Sequence, residues 1–147
     1  MSETCIFCRI AAREIPAEIV FEDQHAIAFL DIDPLFPGHT LLVPKSHSQT
    51  LTDLPAAQVA PLFENAQRLT RAVESAMEAD GSFLGINNRV SQSVPHLHIH
   101  IVPRRKKDGL RGFFWPRRKY SSDTHLTETG AAIRAKLAER PAESPGQ

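Results

Sequence analysis

The stretch Ser93-Val94-Pro95-His96-Leu97-His98-Ile99-His100-Ile101-Val102-Pro103 constrains this chain more than any other segment. Three histidines alternate with aliphatic residues, the period-two pattern of a half-buried β-strand. Successive side chains on a pleated strand point to opposite faces. His96, His98 and His100 therefore share one face, while Leu97, Ile99 and Ile101 pack the other into a core. Neighbouring histidines lie roughly 6.5–7 Å apart along such a strand, because each residue rises about 3.3 Å. A row of imidazoles titrating near neutral pH suits chemistry better than a solvated surface. Two chemistries fit the row. A His-x-His pair can hold a metal through two ring nitrogens, and one neutral imidazole can attack phosphorus when its other nitrogen donates to a fixed acceptor.

The 147 residues, 41% apolar and 23% charged, indicate one soluble domain with a single sizeable core. A formal net charge of zero provides no global field toward nucleic acid or membrane. No apolar run approaches the ~20 residues that span a bilayer, and no signal peptide opens the chain, so a cytoplasmic location is expected. Cys5 and Cys8, the only cysteines, are too few for a secreted disulfide framework. Their C-x-x-C spacing suits a redox pair or half of a zinc site. The βαβ context of a redox pair is missing here, and tetrahedral zinc needs two further ligands.

The apolar positions Ile6, Phe7, Ile10 and Ile15 predict a short helix within 5–15, closed by Pro16. Residues 18–21 and 26–32 read as strands paired around a polar turn, and 39–43 as a third. From Asp53 to about Ala79, Val59, Leu62, Phe63, Ala66, Leu69, Val73 and Met77 recur at spacings of three and four. That predicts one long amphipathic helix with Thr52 or Asp53 as N-cap, Gly81 as its stop and a kink or split at Pro61. Residues 83–86 and 96–102 supply the last strands. The expected fold is α+β: a five-stranded antiparallel sheet with one long helix and a short N-terminal helix. Residues 127–140 predict another short helix, and Pro141 onward a disordered tail.

The histidine triad, His96-x-His98-x-His100, resembles that of the histidine-triad (HIT) superfamily, and the likeness extends well beyond it. Cys5-Ile6-Phe7-Cys8-Arg9-Ile10, Glu14-Ile15-Pro16, Phe21-Glu22-Asp23, Ala28-Phe29-Leu30-Asp31-Ile32, Pro37-Gly38-His39 and Val43-Pro44-Lys45-x-His47 resemble the Hint-type branch, in family order. The resemblance covers residues 4 to about 104. It divides the chain into a HIT domain, 1–104, and a C-terminal extension, 105–147. It implies a nucleotide hydrolase or transferase acting on purine nucleoside phosphoramidates or dinucleoside polyphosphates, and a homodimer joined through the long helix and a continuous sheet.

Residue by residue, the resemblance implies that His98 is the nucleophile forming a covalent nucleotidyl-histidine, and that His100 contacts the non-bridging oxygens. His39 lies behind the triad and helps orient it, and Ser93 lies near the leaving group. Asp31 would accept from the ribose hydroxyls. Ile6, Phe7, Ile10, Ile15, Phe29 and Ile32 would enclose the base, while Asn87 and Gln92 would line the phosphates. Zinc-containing members imply Cys5, Cys8, His47 and His96 as a structural zinc set, not required for the chemistry. Taken without the resemblance, the apolar residues read equally as core and Asp31 as a turn carboxylate.

One segment departs from the family pattern. Asn87-Asn88-Arg89-Val90-Ser91-Gln92 has no glycine where a glycine-rich phosphate loop is usual, and Arg89 is an alternative phosphate contact. Two functions of other classes stay open: a nucleotide-binding or interaction protein with little turnover, and a metal-dependent hydrolase with the triad as ligands. Residues 104–119 hold eight Lys or Arg against one Asp, with Phe113, Phe114 and Trp115 embedded. This segment reads first as a solvated loop pinned by its aromatics, second as a polyphosphate contact and third as a single-strand nucleic-acid surface. His25 and His125 read as surface histidines.

Overall fold

The computed structural model describes residues 4–110 and 117–139. They fall into two units divided between Asp108 and Gly109. The first carries α1 (Ile6–Ala11), β1 (Ile19–Glu22), β2 (Ala26–Leu30), β3 (Thr40–Pro44), a 3₁₀ turn (Leu51–Asp53), α2 (Ala56–Ala76), β4 (Gly81–Gly85) and β5 (Ile99–Arg104). The five strands form one antiparallel sheet in the order β1-β2-β3-β5-β4.

Strand alternation sorts the core into two layers, one on each face of the sheet. Ala26, Ala28, Leu42, Leu97, Ile99 and Ile101 pack against Leu62, Ala66, Leu69 and Val73 of α2. Ile27, Phe29, Leu41 and Val43 pack against Phe7, Cys8 and Ile10 of α1. The half-buried strand expected from the alternation is therefore buried on both sides, and His96 and His98 are only 1% and 3% exposed. The regular strand begins at Ile99, so of the triad only His100 lies inside it. His96 and His98 stand on the segment that leads in, tied to the preceding loop by the Leu97 N–H donating to the Ser48 carbonyl at 2.7 Å.

Both helices of this unit end where a non-glycine residue turns left-handed, rather than at the breakers read from sequence. Arg13 (φ 63) and Glu78 (φ 50) adopt that conformation. At α1 the Glu14 N–H bonds to the Arg9 carbonyl and the Arg13 N–H to Ile10. At α2 Ala79 bonds to Glu74 and Glu78 to Ser75. These paired bonds satisfy the terminal carbonyls as a Schellman motif does. So α1 stops at Ala11, short of Pro16, and Gly81 opens β4 instead of closing α2.

The N-cap expectation is corrected too: Thr50 and Asp53 form a capping box on the 3₁₀ turn, and α2 begins after Pro55. Pro61 does not split α2. Ala57, whose carbonyl loses its donor to the proline, is exposed, and the buried stripe runs on beyond it. Val59 and Phe63, expected in that stripe, are exposed at 37% and 42%.

Gly38, with φ +96, sits where a Cβ would lie 2.6 Å from Met77 Cγ and 3.0 Å from its Sδ. Gly38→Ala combines backbone strain with this clash at the end of α2. We expect a loss of about 2 kcal/mol, read as a lower urea midpoint at unchanged m-value.

In the second unit α3 spans Asp123–Ala138, with Ser122 Oγ accepting from the His125 N–H at 3.0 Å. That cap starts the helix earlier than the expected residue 127. Leu126, Ile133 and Leu137 are exposed on it. Phe113, Phe114, Trp115 and the tail from Pro141 lie outside the described residues. Among the described residues no helix is long and apolar enough to cross a membrane.

Candidate active site and metal cluster

Strand register builds the floor of a cleft. Phe29 pairs with Leu41, and Leu41 with His100, so the three stand in a row across β2, β3 and β5. Ile6, Phe7 and Ile10 of α1 close one side. Ile15, Asp31, Ile32, Ser93, Val94 and His98 complete a cleft of about 350 Å³. All six apolar residues expected to enclose a base line it, although Ile6 and Ile32 are exposed at 45% and 91%. Asp33 and Leu41 line it as well. No motif points to Leu41 as a cleft residue, although its strand parity with His39 marks it for the same face.

Backbone partners settle the state of each imidazole. The Leu35 N–H donates to His39 Nδ1 at 3.1 Å, so neutral His39 carries its proton on Nε2. His39 Nε2–H then donates to His100 Nδ1 at 2.9 Å, which leaves His100 with an Nε2–H to offer. The His98 Nδ1–H donates to the His96 carbonyl at 2.7 Å, leaving the His98 Nε2 lone pair available. The ring centres of His98 and His100 lie 4.8 Å apart, and Phe7 packs edge-to-face with His98 at 5.2 Å between ring centres. Asp31 Oδ2 stands 3.8 Å from His39 Nε2, and its Oδ1 accepts the Asp33 N–H. Asp31, His39 and His100 are close enough to share a metal, but the His39–His100 bond already uses one nitrogen of each ring.

Burial holds His39 below the ordinary imidazole range, against the pull of Asp31. Burial first, then the neighbouring His98 and His39, bring His100 down from 6.5 to about 4. The unfolded chain therefore takes up protons before the native one as the pH falls. We expect stability that is full above about pH 6.5 and falls toward pH 4, with His100 accounting for on the order of 2 kcal/mol. Urea midpoints measured at pH 7 and pH 5 check this, and equal values would refute it.

A second cluster lies behind the triad. Cys5 and Cys8 Sγ, His47 Nδ1 and His96 Nδ1 all fall within 4.8 Å of one another. His96 donates its Nε2–H to the Pro44 carbonyl at 2.8 Å, so its Nδ1 lone pair faces the thiols. Four separations are recorded: 3.4 Å for Cys5–His96, 3.4 Å for Cys8–His47, 3.5 Å for Cys8–His96 and 3.2 Å for His47–His96. The edges of a tetrahedral zinc site, with Zn–N near 2.05 Å and Zn–S near 2.3 Å, are about 3.3–3.8 Å. Donor set and spacing fit a tetrahedral metal, and both cysteines are buried and free of disulfide.

Several expected contacts fall elsewhere. Asn87 and Gln92 do not line the cleft. Gln92 Oε1 accepts the Arg89 N–H, and its Nε2 donates to the Gln49 carbonyl, bracing the loop. Arg89 (φ 66) and Ser91 (φ 59) take the left-handed conformation that glycine would supply, and the charge of Arg89 acts on Asp53. The basic turn after β5 closes on the C-terminal end of α2. Arg105 donates to the Met77 carbonyl, and the Lys106 N–H to Asp80, where a cation also suits the helix dipole. None of Arg104, Arg105, Lys106 and Lys107 lines the cleft.

The HIT domain model matches residues 12–107. The chain is 36% identical over 145 residues to Protein hit of Bacillus subtilis, covering 97% of this chain and 98% of that protein. It is 37% identical over 113 residues to adenosine 5'-monophosphoramidase HNT1 of Saccharomyces cerevisiae, covering 75% and 69%. A Zn-bound histidine triad family protein from Mycobacterium smegmatis superposes with a TM-score of 0.69 at 35% identity, covering 92% of this chain and 98% of that one. A family match that contains the triad and the sheet beneath the cleft, joined to similarity over nearly the whole chain, places this protein in the HIT domain family.

Proposed function

We propose that this chain is a nucleotide hydrolase or transferase that cleaves the bond between an α-phosphorus and its leaving group through a nucleotidyl-His98 intermediate. The observation that carries the reading is the His98–His96 carbonyl bond, which leaves Nε2 of a cleft-lining imidazole as a fixed lone pair. Nε2 attacks the α-phosphorus as the bond to the leaving group breaks. Water then cleaves the P–N bond and releases the nucleoside monophosphate. His100 donates its Nε2–H to a non-bridging oxygen, held by His39, and stabilises charge that grows in the transition state. Ser93 offers its hydroxyl to the leaving group. Asp31 accepts from the ribose hydroxyls, and the base lies among Ile6, Phe7, Ile10, Ile15, Phe29 and Ile32.

Purine nucleoside phosphoramidates and dinucleoside polyphosphates are the substrate classes. Asp31 and Asp33 on the cleft wall favour the less anionic leaving group of a phosphoramidate, and the phosphoramidase name of the yeast relative agrees. Intact-protein mass spectrometry after brief incubation with an adenosine phosphoramidate, quenched to preserve phosphohistidine, tests the reading. An adenylyl adduct on wild type but not on His98→Ala supports it; absence of both adduct and released AMP favours a nucleotide-binding protein.

Zinc is the metal of the Cys5–Cys8–His47–His96 set; when bound it is structural and supplies no step of the chemistry. A metal ion still bound per chain in Cys8→Ala, and needed for its turnover, would favour a metal at the triad instead. The exposed Val59 and Phe63 on α2, with Leu84 at 40% exposure on the edge strand β4, suit a homodimer whose sheet continues across the interface. Phe63→Asp is then expected to yield a monomer by light scattering, against a wild-type dimer.

A further inference from the structure

We infer that Cys5, Cys8 and His47 are positioning residues for the nucleotide: held together with His96 around a metal, they set both the apolar wall of the cleft and the ring of His98. The inference rests on the zinc and nucleotide readings above and extends them from stability to binding.

The wall is carried by α1, only six residues long, with no side-chain cap at Cys5 and no acidic residue in its first turn. So short a helix has little stability of its own. Cys5 and Cys8 bracket Ile6 and Phe7, the residues that α1 presents first to the cleft. Any constraint on the two sulfurs therefore acts directly on that wall. The sulfurs reach His96 Nδ1 at 3.4 and 3.5 Å, across 91 and 88 residues of sequence.

His96 then acts in two directions. Its ring is fixed between the cluster and the Pro44 carbonyl, while its own carbonyl accepts the His98 Nδ1–H. The tautomer and orientation of His98 thus depend on a backbone group belonging to a metal ligand. Phe7 closes the circuit, with its ring centre 5.9 Å from that of His96 and 5.2 Å from that of His98, in edge-to-face packing. His47 is the outlying ligand. It is exposed and does not line the cleft but a neighbouring cavity that shares Ile6, Ser93 and Val94 with it, so it can be altered without removing a wall residue of the cleft.

The test compares zinc-loaded wild type, His47→Ala and His47→Cys for zinc content, AMP affinity by calorimetry and the ring ¹⁵N shifts of His98. A Cys₃His set also binds structural zinc, so His47→Cys is the rescue variant. We expect His47→Ala to lose zinc and bind AMP at least about tenfold more weakly, the effect of unfixing one wall of a preformed slot. Its His98 resonances should move or broaden, while His47→Cys restores all three readouts. Zinc lost with AMP affinity and His98 shifts unchanged overturns the inference.

Should His47→Ala not fold, wild type stripped of zinc with a chelator and then reloaded decides alone. The stripped protein is expected to bind AMP at least about tenfold more weakly with its His98 shifts moved, both restored on reloading, and unmoved shifts with unchanged affinity overturn the inference. If zinc-loaded wild type binds no AMP at all, the functional reading fails and takes this inference with it.

Discussion

His98→Ala is expected to lower kcat/KM by about five orders of magnitude, the scale on which a covalent nucleophile fails when nothing can replace it. The size follows from the wiring of the site. His100 cannot substitute, because its Nδ1 accepts from His39 and its remaining nitrogen carries a proton. His96 cannot substitute, because its Nε2 is spent on Pro44 and its Nδ1 faces the cysteines. The variant still binds AMP within about tenfold of wild type, since the apolar walls and Asp31 remain. Truncating a buried ring and stripping the His96 carbonyl of its donor lowers stability by roughly 1–3 kcal/mol, so folding is checked first by circular dichroism. His100→Ala gives the contrasting result. Its rate is expected to fall by roughly 10²–10³, as when one oxyanion donor is removed, with the adenylyl adduct still forming. A His98→Ala enzyme with near-wild-type turnover would remove His98 as nucleophile.

Cys8→Ala is expected to abolish tight zinc binding and to cost several kcal/mol, because metal affinity held by the native chain alone is folding free energy. For a chain of this size that corresponds to a Tm lower by roughly 10 °C. Cys8 is 2% exposed and also belongs to the α1 core layer. Alanine therefore loses packing as well as a ligand, and Cys8→Ser separates the two, keeping the volume while losing thiolate affinity. Mass spectrometry under native conditions and a thermal melt with and without added zinc provide the readout. A variant equal to wild type in metal content and Tm would sink the zinc reading. The expected loss is larger than for Gly38→Ala, where the effect is confined to one turn and the end of one helix.

Local pattern carried much of this protein. Period-two alternation placed Leu97, Ile99 and Ile101 in the core and the histidines on the other face, and the three-four spacing found Leu62, Ala66, Leu69 and Val73. Those readings rest on contacts the chain makes with its own periodicity. Helix ends were harder to see. Arg13 and Glu78 turn left-handed without glycine, at a steric cost repaid by the hydrogen bonds of the final turn. Val59 and Phe63 satisfy the helical period yet face outward, because a period identifies an apolar stripe without saying how much of its width the sheet can cover.

By itself the sequence determined the α+β architecture and the triad, while its resemblance to the HIT superfamily pointed to the apolar residues that line the cleft and the four residues that cluster around His96. Only the tertiary structure decided which nitrogen of each imidazole is free. That depends on the Pro44 and His96 carbonyls and the Leu35 N–H, which lie as far as 52 residues from the rings they fix. It also decided that Gln92 braces a loop and that the basic turn closes a helix end. A side chain's chemistry is written in its residue type, but its protonation and its partner are set by whichever backbone groups the fold brings within 3 Å or so of it.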